Sequence, residues 1–524
     1  MGTHIEQERK FDVTGAAAGL PDLRGLPGVA TVGTPVAEEL DAVYYDTVDH
    51  LLQGRRITLR RRTGGHDEGW HLKLPEGPDT RREIQLPLDG AADGDGSAAA
   101  VPEALALRIR ARAHGRPLAP VARLQTHRNL RVLLDDANRP LAEIAEDTVT
   151  ARALGRTADG GTGTLRKRKW SEVEAELSAA DGDVGLLDAI EARFAEAGLR
   201  RSASASKLER ALGAAGPATA ADGAPVTAPD GGSIGALLVD QLRAQVEAVL
   251  VLDGAVRRDR PDSVHGMRIA VRRLRTTLRA FGRYLDRTTA DALDAELRLL
   301  GRVLGEARDS EVLGSRLDSQ AGLLTGPERP GPVRRRIRTW CADQYRQAHG
   351  HAVAELDAPR YFTLVEALDR LAAAPVLRAR AGRDAGPELR RVLAREQRRV
   401  GRRVSAARGL PPGAERDEEL HAARKAAKRA RYAGELAAVV AGRPARRFAR
   451  RMKALQTVLG DRQDAILARR TLPEIAAAAH AGGEPGFGYG VLYAGQAAAI
   501  AQADADLPAL WAAARRRKLT RRIG

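Results

Sequence analysis

The sequence predicts an α+β multidomain chain, with a β-barrel or closed sheet in front and an all-α, duplicated helical bundle behind. Three observations carry this reading. Short runs of alternating residues fill the chain up to Leu177, the apolar period changes to three or four after Ile234, and one His-and-basic motif occurs twice in the second half.

The alternating runs are His4–Val13, Arg56–Arg62, Trp70–Leu74, Arg81–Leu88, Val121–Leu134, Pro140–Ala145 and Trp170–Leu177, with Gly, Pro or Asp between them. Seven or eight strands at such short spacing argue for closure of the sheet. One amphipathic helix, about Gly185–Ala197, precedes the Ser-rich stretch Ser202–Lys207. Ala214–Gly232 is rich in Ala, Pro and Gly and nearly uncharged, the composition of a flexible linker. The chain therefore divides into residues 3–212, a linker at 213–232, and 233–510. From Ile234 to Ala478 apolar residues recur at helical spacing, with breaks expected at Pro261, Pro330, Pro359, Pro411 and Pro444.

Composition excludes several classes. A chain of 524 residues holds two or three domains. It has no run of about 18 apolar residues, so no membrane span is expected. The start, MGTHIEQERK, lacks the apolar stretch of a secretory signal, and a cytoplasmic protein is expected. Cys341 is the single cysteine, which excludes an intrachain disulfide and a cysteine-built metal centre. The net charge of +17 is uneven: residues 1–232 carry 30 basic and 35 acidic side chains (−5), and 233–524 carry 55 and 33 (+22). A basic half of this size implies a polyanion, and phosphate above all, because Arg binds it bidentately. Aromatic residues are 3% of the chain and neither basic motif interleaves them apart from Tyr432. Base-stacking platforms are therefore not expected, nor a specific nucleic-acid partner.

The front strands carry charge on one face. Glu6, Glu8 and Lys10 share a face, as do Arg60 and Arg62, Arg81 and Glu83, and Glu172, Glu174 and Glu176; Lys73 opposes Trp70, Leu72 and Leu74. An open sheet with one wet face would give the same pattern strand by strand. Segregation of acidic from basic strands favours a charged lumen. There, carboxylates would supply oxygen ligands to Mg²⁺ or Mn²⁺ and the basic residues would hold phosphate.

In this order the residues resemble the CYTH family, the triphosphate tunnel metalloenzymes. Glu6-x-Glu8-x-Lys10 resembles its ExExK signature, and Tyr44–Leu52 (YYDTVDHLL) its YFDT element. Arg60 and Arg62 in TLRRR, Lys73 in WHLKLP, Arg81-x-Glu83 and Arg128 follow, then Glu143 and Asp147, Glu174 and Glu176, and Lys207. The resemblance implies an eight-stranded antiparallel tunnel that hydrolyses or cyclises triphosphates. It implies Glu6, Glu8, Asp147, Glu174 and Glu176 as metal ligands. Lys10, Arg60, Arg62, Lys73, Arg81, Arg128 and Lys207 would bind substrate, and Glu6, Glu8, Lys10, Glu174 and Glu176 would be catalytic. Glu172 is expected at the solvated rim. Inorganic tripolyphosphate is the expected substrate, with thiamine triphosphate hydrolysis, adenylate cyclase activity or a catalytically idle tunnel as alternatives.

In the back half, His265, Arg268, Arg272, Arg273 and Arg275 recur as His421, Arg424, Lys428, Arg429 and Arg431, with Lys425 beside the second set. Each copy is followed by an echo, LGEARD (Leu304–Asp309) and LGDRQD (Leu459–Asp464). The spacing puts His265, Arg268, Arg272 and Arg275 on one helical stripe. A solvated face would not repeat so closely, so anion binding is expected. Phosphate beside the histidines is expected to raise their pKa. This half resembles the CHAD domain, which implies binding of inorganic polyphosphate along a basic channel, and association with polyphosphate granules. Glu435 departs from the pattern, standing where the first copy has Arg279.

Overall fold

Alternation in the N-terminal residues builds strand β1 (Gly2–Asp12), which sends Glu6 and Glu8 inward. The remaining strands of the computed structural model are β2 (Thr31–Val32), β3 (Val36–Asp46), β4 (Thr58–Thr63), β5 (Gly69–Pro75), β6 (Thr80–Leu86), β7 (Ala119–Leu134), β8 (Pro140–Arg156), β9 (Thr162–Leu177) and β10 (Arg200–Arg201). The structure describes residues 2–13, 20–88, 99–156, 162–179, 182–213, 232–325, 330–521 and 523. It forms two compact units, Met1–Ala221 and Asp222–Gly524. Most of the expected linker, 214–231, lies outside the described residues.

In the first unit two antiparallel meanders, β3–β6 and β7–β9, are joined edge to edge by β3 and β7. β1 closes the barrel: Gly2–Gln7 pair with β6 and Glu8–Asp12 with β9. The result is an eight-stranded antiparallel barrel, with short β2 and β10 added at β7 and β1. Closure leaves no bare edge for the charged face to spread along, so that face becomes the wall of a lumen.

β3 is missing from the predicted runs because Glu38-Glu39 interrupts the alternation. Its end is organised by Asp46, whose buried carboxylate accepts from the backbone N–H of Thr47, Leu52 and Gln53 at 2.7, 2.9 and 2.8 Å. Gly64 turns β4 into β5 at φ +79, where a Cβ would strike the Glu39 carbonyl. Outside the lumen, Trp70, Leu72 and Ile84 pack with Leu105 and Ile109 of helix α1 (Glu103–Ile109). Phe11, Ile144 and Val173 pack under α2 (Val184–Glu196) through Ile190 and Phe194.

One end of the barrel is covered by α3 (Lys207–Leu212), whose Leu208 and Ala211 pack against Ala42, Val121 and Val149. Ser206 caps α3 by accepting from Glu209 N, and Glu209 reaches back to Ala205 N at 2.6 Å. This capping fixes Lys207 at the first turn, under the strands.

The second unit holds α4 (Ile234–Arg257), α5 (Ser263–Ala280), α6 (Arg287–Ala321), α7 (Pro330–Asp357), α8 (Pro359–Ala373), α9 (Ala385–Arg408), α10 (Ala414–Ala481), α11 (Phe487–Ala514) and α12 (Lys518–Arg521). Pro261 and Pro411 fall in connections and Pro359 opens α8. The break at Pro444 is a kink: Gly442 has φ 55 and ψ −129 inside α10. Each half of α10 therefore matches one helix of the first copy, α5 and then α6. On α5 the buried residues Val264, Met267, Val271, Leu274 and Leu278 form one stripe, and the basic motif occupies the other side. One core joins Leu238, Phe281, Leu389, Val400 and Phe448; another joins Leu317, Ile337, Leu472 and Leu492. Among the described residues no helix is long and apolar enough to cross a membrane.

Candidate active site and anion-binding cavity

The barrel encloses a cavity of about 380 Å³ lined by Glu6, Glu8, Lys10, Arg60, Arg62, Lys73, Arg81, Arg128, Glu174, Glu176 and Lys207. Eleven of the sequence-predicted residues thus meet in one lumen, and Asp147, 2% exposed, lies against it beneath Arg128. Strand register explains the meeting: Glu8 is opposite Glu176 and Lys10 opposite Glu174, while Glu6 faces Arg81.

The charges interlock. Lys10 Nζ lies 2.8 Å from Glu8 and also bonds Glu174. Arg128 donates two bonds to Asp147 (2.9 and 2.8 Å) and one to Glu174 (2.9 Å). Lys207 Nζ lies 2.9 Å from Asp147, 3.0 Å from Glu172 and 2.6 Å from Glu174. On the other wall Lys73 reaches Glu6 at 2.7 Å, and Arg81 reaches Glu8 at 3.3 Å. Arg60 donates to the Tyr44 hydroxyl at 3.4 Å, and Arg62 pairs with Asp67.

Glu172 corrects the expectation. It is 3% exposed, well inside the rim, and bonded by Lys207, by Trp170 Nε1 at 2.5 Å and by Arg210. The physical reason is α3, which lies over that end of β9 and brings Lys207 and Arg210 down onto the carboxylate.

Two groups bring ligand atoms within 4.8 Å of one another: Asp147, Glu172 and Glu174; and His4, Glu6 and Glu83. The carboxylates of both groups are hard oxygen donors that fit a divalent cation, and His4 adds a ring nitrogen to the second. Glu8 and Glu176 belong to neither group and face each other across β1 and β9. Sequence reasoning missed His4 and His71, and it put Glu83 on the charged face without giving it a role. His71 shares the inward face of β5 with Lys73 and bonds Glu83 at 2.8 Å. The alternation of β5 would have found it.

Proton affinities follow from burial and neighbours. Burial pushes the Glu176 carboxyl up to about 8, with Glu6, Glu8 and Glu174 reinforcing it against Lys73. Burial also lifts Glu6, against Lys73. For Glu8 burial works upward too, yet Lys10, Lys73 and Arg81 prevail and bring it down to about 2. Burial lowers His71 to about 4, with Arg60 and Arg62 adding to the effect.

The helical unit has its own site, a cavity of about 1250 Å³ lined by thirteen Lys and Arg against three carboxylates. Of the predicted residues, Arg268, Arg272, Arg275, His421, Arg424, Lys425, Lys428 and Arg429 line it. His265, Arg273 and Arg431 do not. Arg273 and Arg431 instead flank the Tyr432 ring, 5.6 and 5.0 Å from its centre, and pair with Glu435 at 3.5 and 2.6 Å. The sequence reading missed Arg298 and Arg302 of α6 and Arg399, Arg402 and Arg403 of α9. Their three- and four-residue spacing was visible, but they lie outside the repeated motif.

Both histidines lie below their ordinary range: burial lowers His421 together with Lys425 and Arg424, and lowers His265 together with Arg308 and Arg272. Burial also takes the Lys428 ammonium down to about 6, helped by Arg424, Arg272 and Arg268. The cations of this cavity repel one another, and an anion among them would relieve that repulsion.

A closed barrel with an ionic lumen and a duplicated basic bundle together define the class of protein. The CYTH domain family matches residues 4–212 and the CHAD domain family residues 240–473. Uncharacterized protein Rv2226 of Mycobacterium tuberculosis is 37% identical over 501 residues, spanning 94% of this chain and 92% of the relative. The chain belongs to the family of CYTH–CHAD fusion proteins. Among solved structures, the CHAD domain from the plant Ricinus communis is 25% identical, covering 55% of this chain and 93% of that one, with a TM-score of 0.43. HpAC1 from Hippeastrum, in which a dominant triphosphatase activity was revealed, is 14% identical, covering 39% of this chain and 92% of that one, with a TM-score of 0.23. CYTH domains are metal-dependent and act on triphosphates, by phosphoanhydride hydrolysis or cyclisation.

Proposed function

We propose that the barrel is a divalent-metal-dependent triphosphatase, with inorganic tripolyphosphate as its substrate, and that the helical unit binds inorganic polyphosphate. The observation that carries the first part is the lumen itself. Carboxylates from β1, β6, β8 and β9 converge with cations from β4, β5, β7 and α3 in a space whose charged lining suits a polyanion and its cations rather than an apolar ligand.

Asp147, Glu172 and Glu174 fit one Mg²⁺ or Mn²⁺, and Glu6 with Glu83 and His4 fits a second; Glu8 and Glu176 lie within the same charge network. A bound cation supplies neutralisation of phosphoryl charge and activation of the attacking water. Arg60, Arg62, Lys73, Arg81 and Arg128 hold the phosphate oxygens and fix the chain in line. Lys10 and Lys207 pair with Glu8, Glu174 and Asp147, and would be free to hold phosphate oxygens if those carboxylates held a cation. Water adds to the terminal phosphorus, the bridging P–O bond breaks, and pyrophosphate and orthophosphate leave. The thirteen basic residues of the helical cavity support the second part, since they present guanidinium and ammonium groups without a stacking surface. Such a fusion would work in the cytoplasm, at polyphosphate granules, where tethering raises local substrate concentration.

The test is phosphate release from tripolyphosphate by the full chain with Mg²⁺ or Mn²⁺, against a Glu174→Gln/Glu176→Gln variant. Release by the wild type alone supports the reading. ATP giving cyclic AMP and pyrophosphate would replace it with a cyclase, and faster release from thiamine triphosphate would change the substrate. A folded, metal-loaded chain that releases nothing would leave polyphosphate binding as the main activity.

A further inference from the structure

The two copies within the helical unit can be compared position by position. α4 and α9 begin at equivalent residues, Ile234 and Ala385, and the residues that cap them, Ser233 and Asp384, pair with each other. α5 matches the first half of α10 through His265 and His421, and α6 matches the second half through the two LGxxxD echoes. Such a duplication offers every groove twice, once in each direction across the pseudo-twofold axis.

The two grooves differ in chemistry. Arg399, Arg402 and Arg403 of α9 line the large cavity. Their counterparts on α4 are Ala248, Val251 and Leu252, with Val251 54% exposed. Arg302 is replaced by Thr457, Arg279 by Glu435, and Thr276 by Tyr432. The contacts follow. Beside Tyr432 the remaining space is about 170 Å³, and Glu435 neutralises both Arg273 and Arg431 there. In the large groove Arg298, Arg302, Arg402, Lys425 and Lys428 have no carboxylate within 4 Å among the described residues.

We propose that the unit binds its polyanion in one groove only, with Arg399, Arg402 and Arg403 of α9 as anion contacts, and that Tyr432 and Glu435 close the pseudo-symmetric groove. This rests on the reading of the helical unit as a polyphosphate binder. A linear polyphosphate occupies the α9 groove, where Arg298, Arg302, Arg402, Lys425 and Lys428 offer cations without a carboxylate partner among the described residues, and where Arg399 and Arg403 would turn from Glu396 and Glu419 toward the anion. In the other groove it would have to displace Glu435 from two arginines and cross a neutral wall. The duplicated motif therefore marks the centre of the site, and residues outside the motif decide its direction.

The test uses the full chain in EDTA, which stops hydrolysis, with a short linear polyphosphate titrated by calorimetry. The expected stoichiometry is one polyphosphate per chain. Replacing Arg399, Arg402 and Arg403 by Gln should weaken binding about tenfold for each arginine removed. It should also flatten the salt dependence by roughly 0.7 log units per lost phosphate contact. Arg273→Gln/Arg431→Gln should bind as the wild type does. Circular dichroism checks that both variants remain helical. As an independent check, Arg279→Glu alone, copying Glu435, should weaken binding. Two polyphosphates per chain, equal losses in the two variants, or an unchanged α9 variant would overturn the one-groove assignment while leaving polyphosphate binding intact. A wild type that binds none would overturn both.

Discussion

Lys428 should make anion binding in the proposed polyphosphate site pH-dependent. Its ammonium is held down to about 6, first by burial and then by Arg424 on its own helix and by Arg272 and Arg268 on α5; Asp464, on the second half of α10, works the other way. At neutral pH the free site therefore carries Lys428 without its proton. A polyphosphate favours the charged form, so Lys428 has a higher pKa in the complex than in the free chain. Binding must then take up a proton at any pH between those two values. With the free value at about 6 and the ammonium charged in the complex, uptake at pH 7.5 is about one proton, and affinity falls roughly 50-fold from pH 6 to pH 8. Below pH 6 the free lysine is already charged and that dependence disappears. His421 lines the same cavity and is also lowered, so it contributes at the acid end. Measurement above pH 7 isolates the lysine. Calorimetry at pH 7.5 in buffers of different ionisation enthalpy, with EDTA present, reads the uptake directly. Lys428→Arg keeps its proton throughout, so it should bind without uptake and with a flat profile from pH 7 to 9. A wild type that takes up no proton, or a Lys428→Arg variant that still does, would refute the reasoning.

Other outcomes follow from the same contacts. Arg128→Gln removes three hydrogen bonds to Asp147 and Glu174, and should lower kcat/KM on tripolyphosphate about 10²–10³-fold with the barrel still folded by near-UV circular dichroism. Mg²⁺ or Mn²⁺ at about 100 times its Kd should stabilise the barrel by about 2.7 kcal/mol in thermal unfolding, and Glu174→Gln/Glu176→Gln should cancel most of that gain. Phe448→Ala empties a fully buried site beside Gly434, and should cost the helical unit about 3–5 kcal/mol in urea denaturation without changing triphosphate hydrolysis.

Local order was legible in the chain wherever a side-chain period met a single packing face. Alternation in His4–Val13 and Trp170–Leu177 showed which charges share a side, and the change of period at Ile234 showed where helices begin. The repeated motif announced the duplication, and Glu435 already marked its imperfection. Sequence alone could not say which strand lies opposite which. Register does that, and register depends on closing the barrel, because β1 must pair at once with β6 and β9. Only that closure sets Glu8 against Glu176 and raises the latter's proton affinity. Only the packing of α3 buries Glu172, a residue whose pattern is equally that of a wet rim. In the helical unit, only the approach of α9 to the first half of α10 shows that Arg399, Arg402 and Arg403 face the repeated motif. Those arginines precede its second copy by about twenty residues, on another helix, and share no repeat with it. Periodicity is a local property and is written in the sequence; electrostatic fields and cavities are sums over distant segments, and they exist only once the chain has folded.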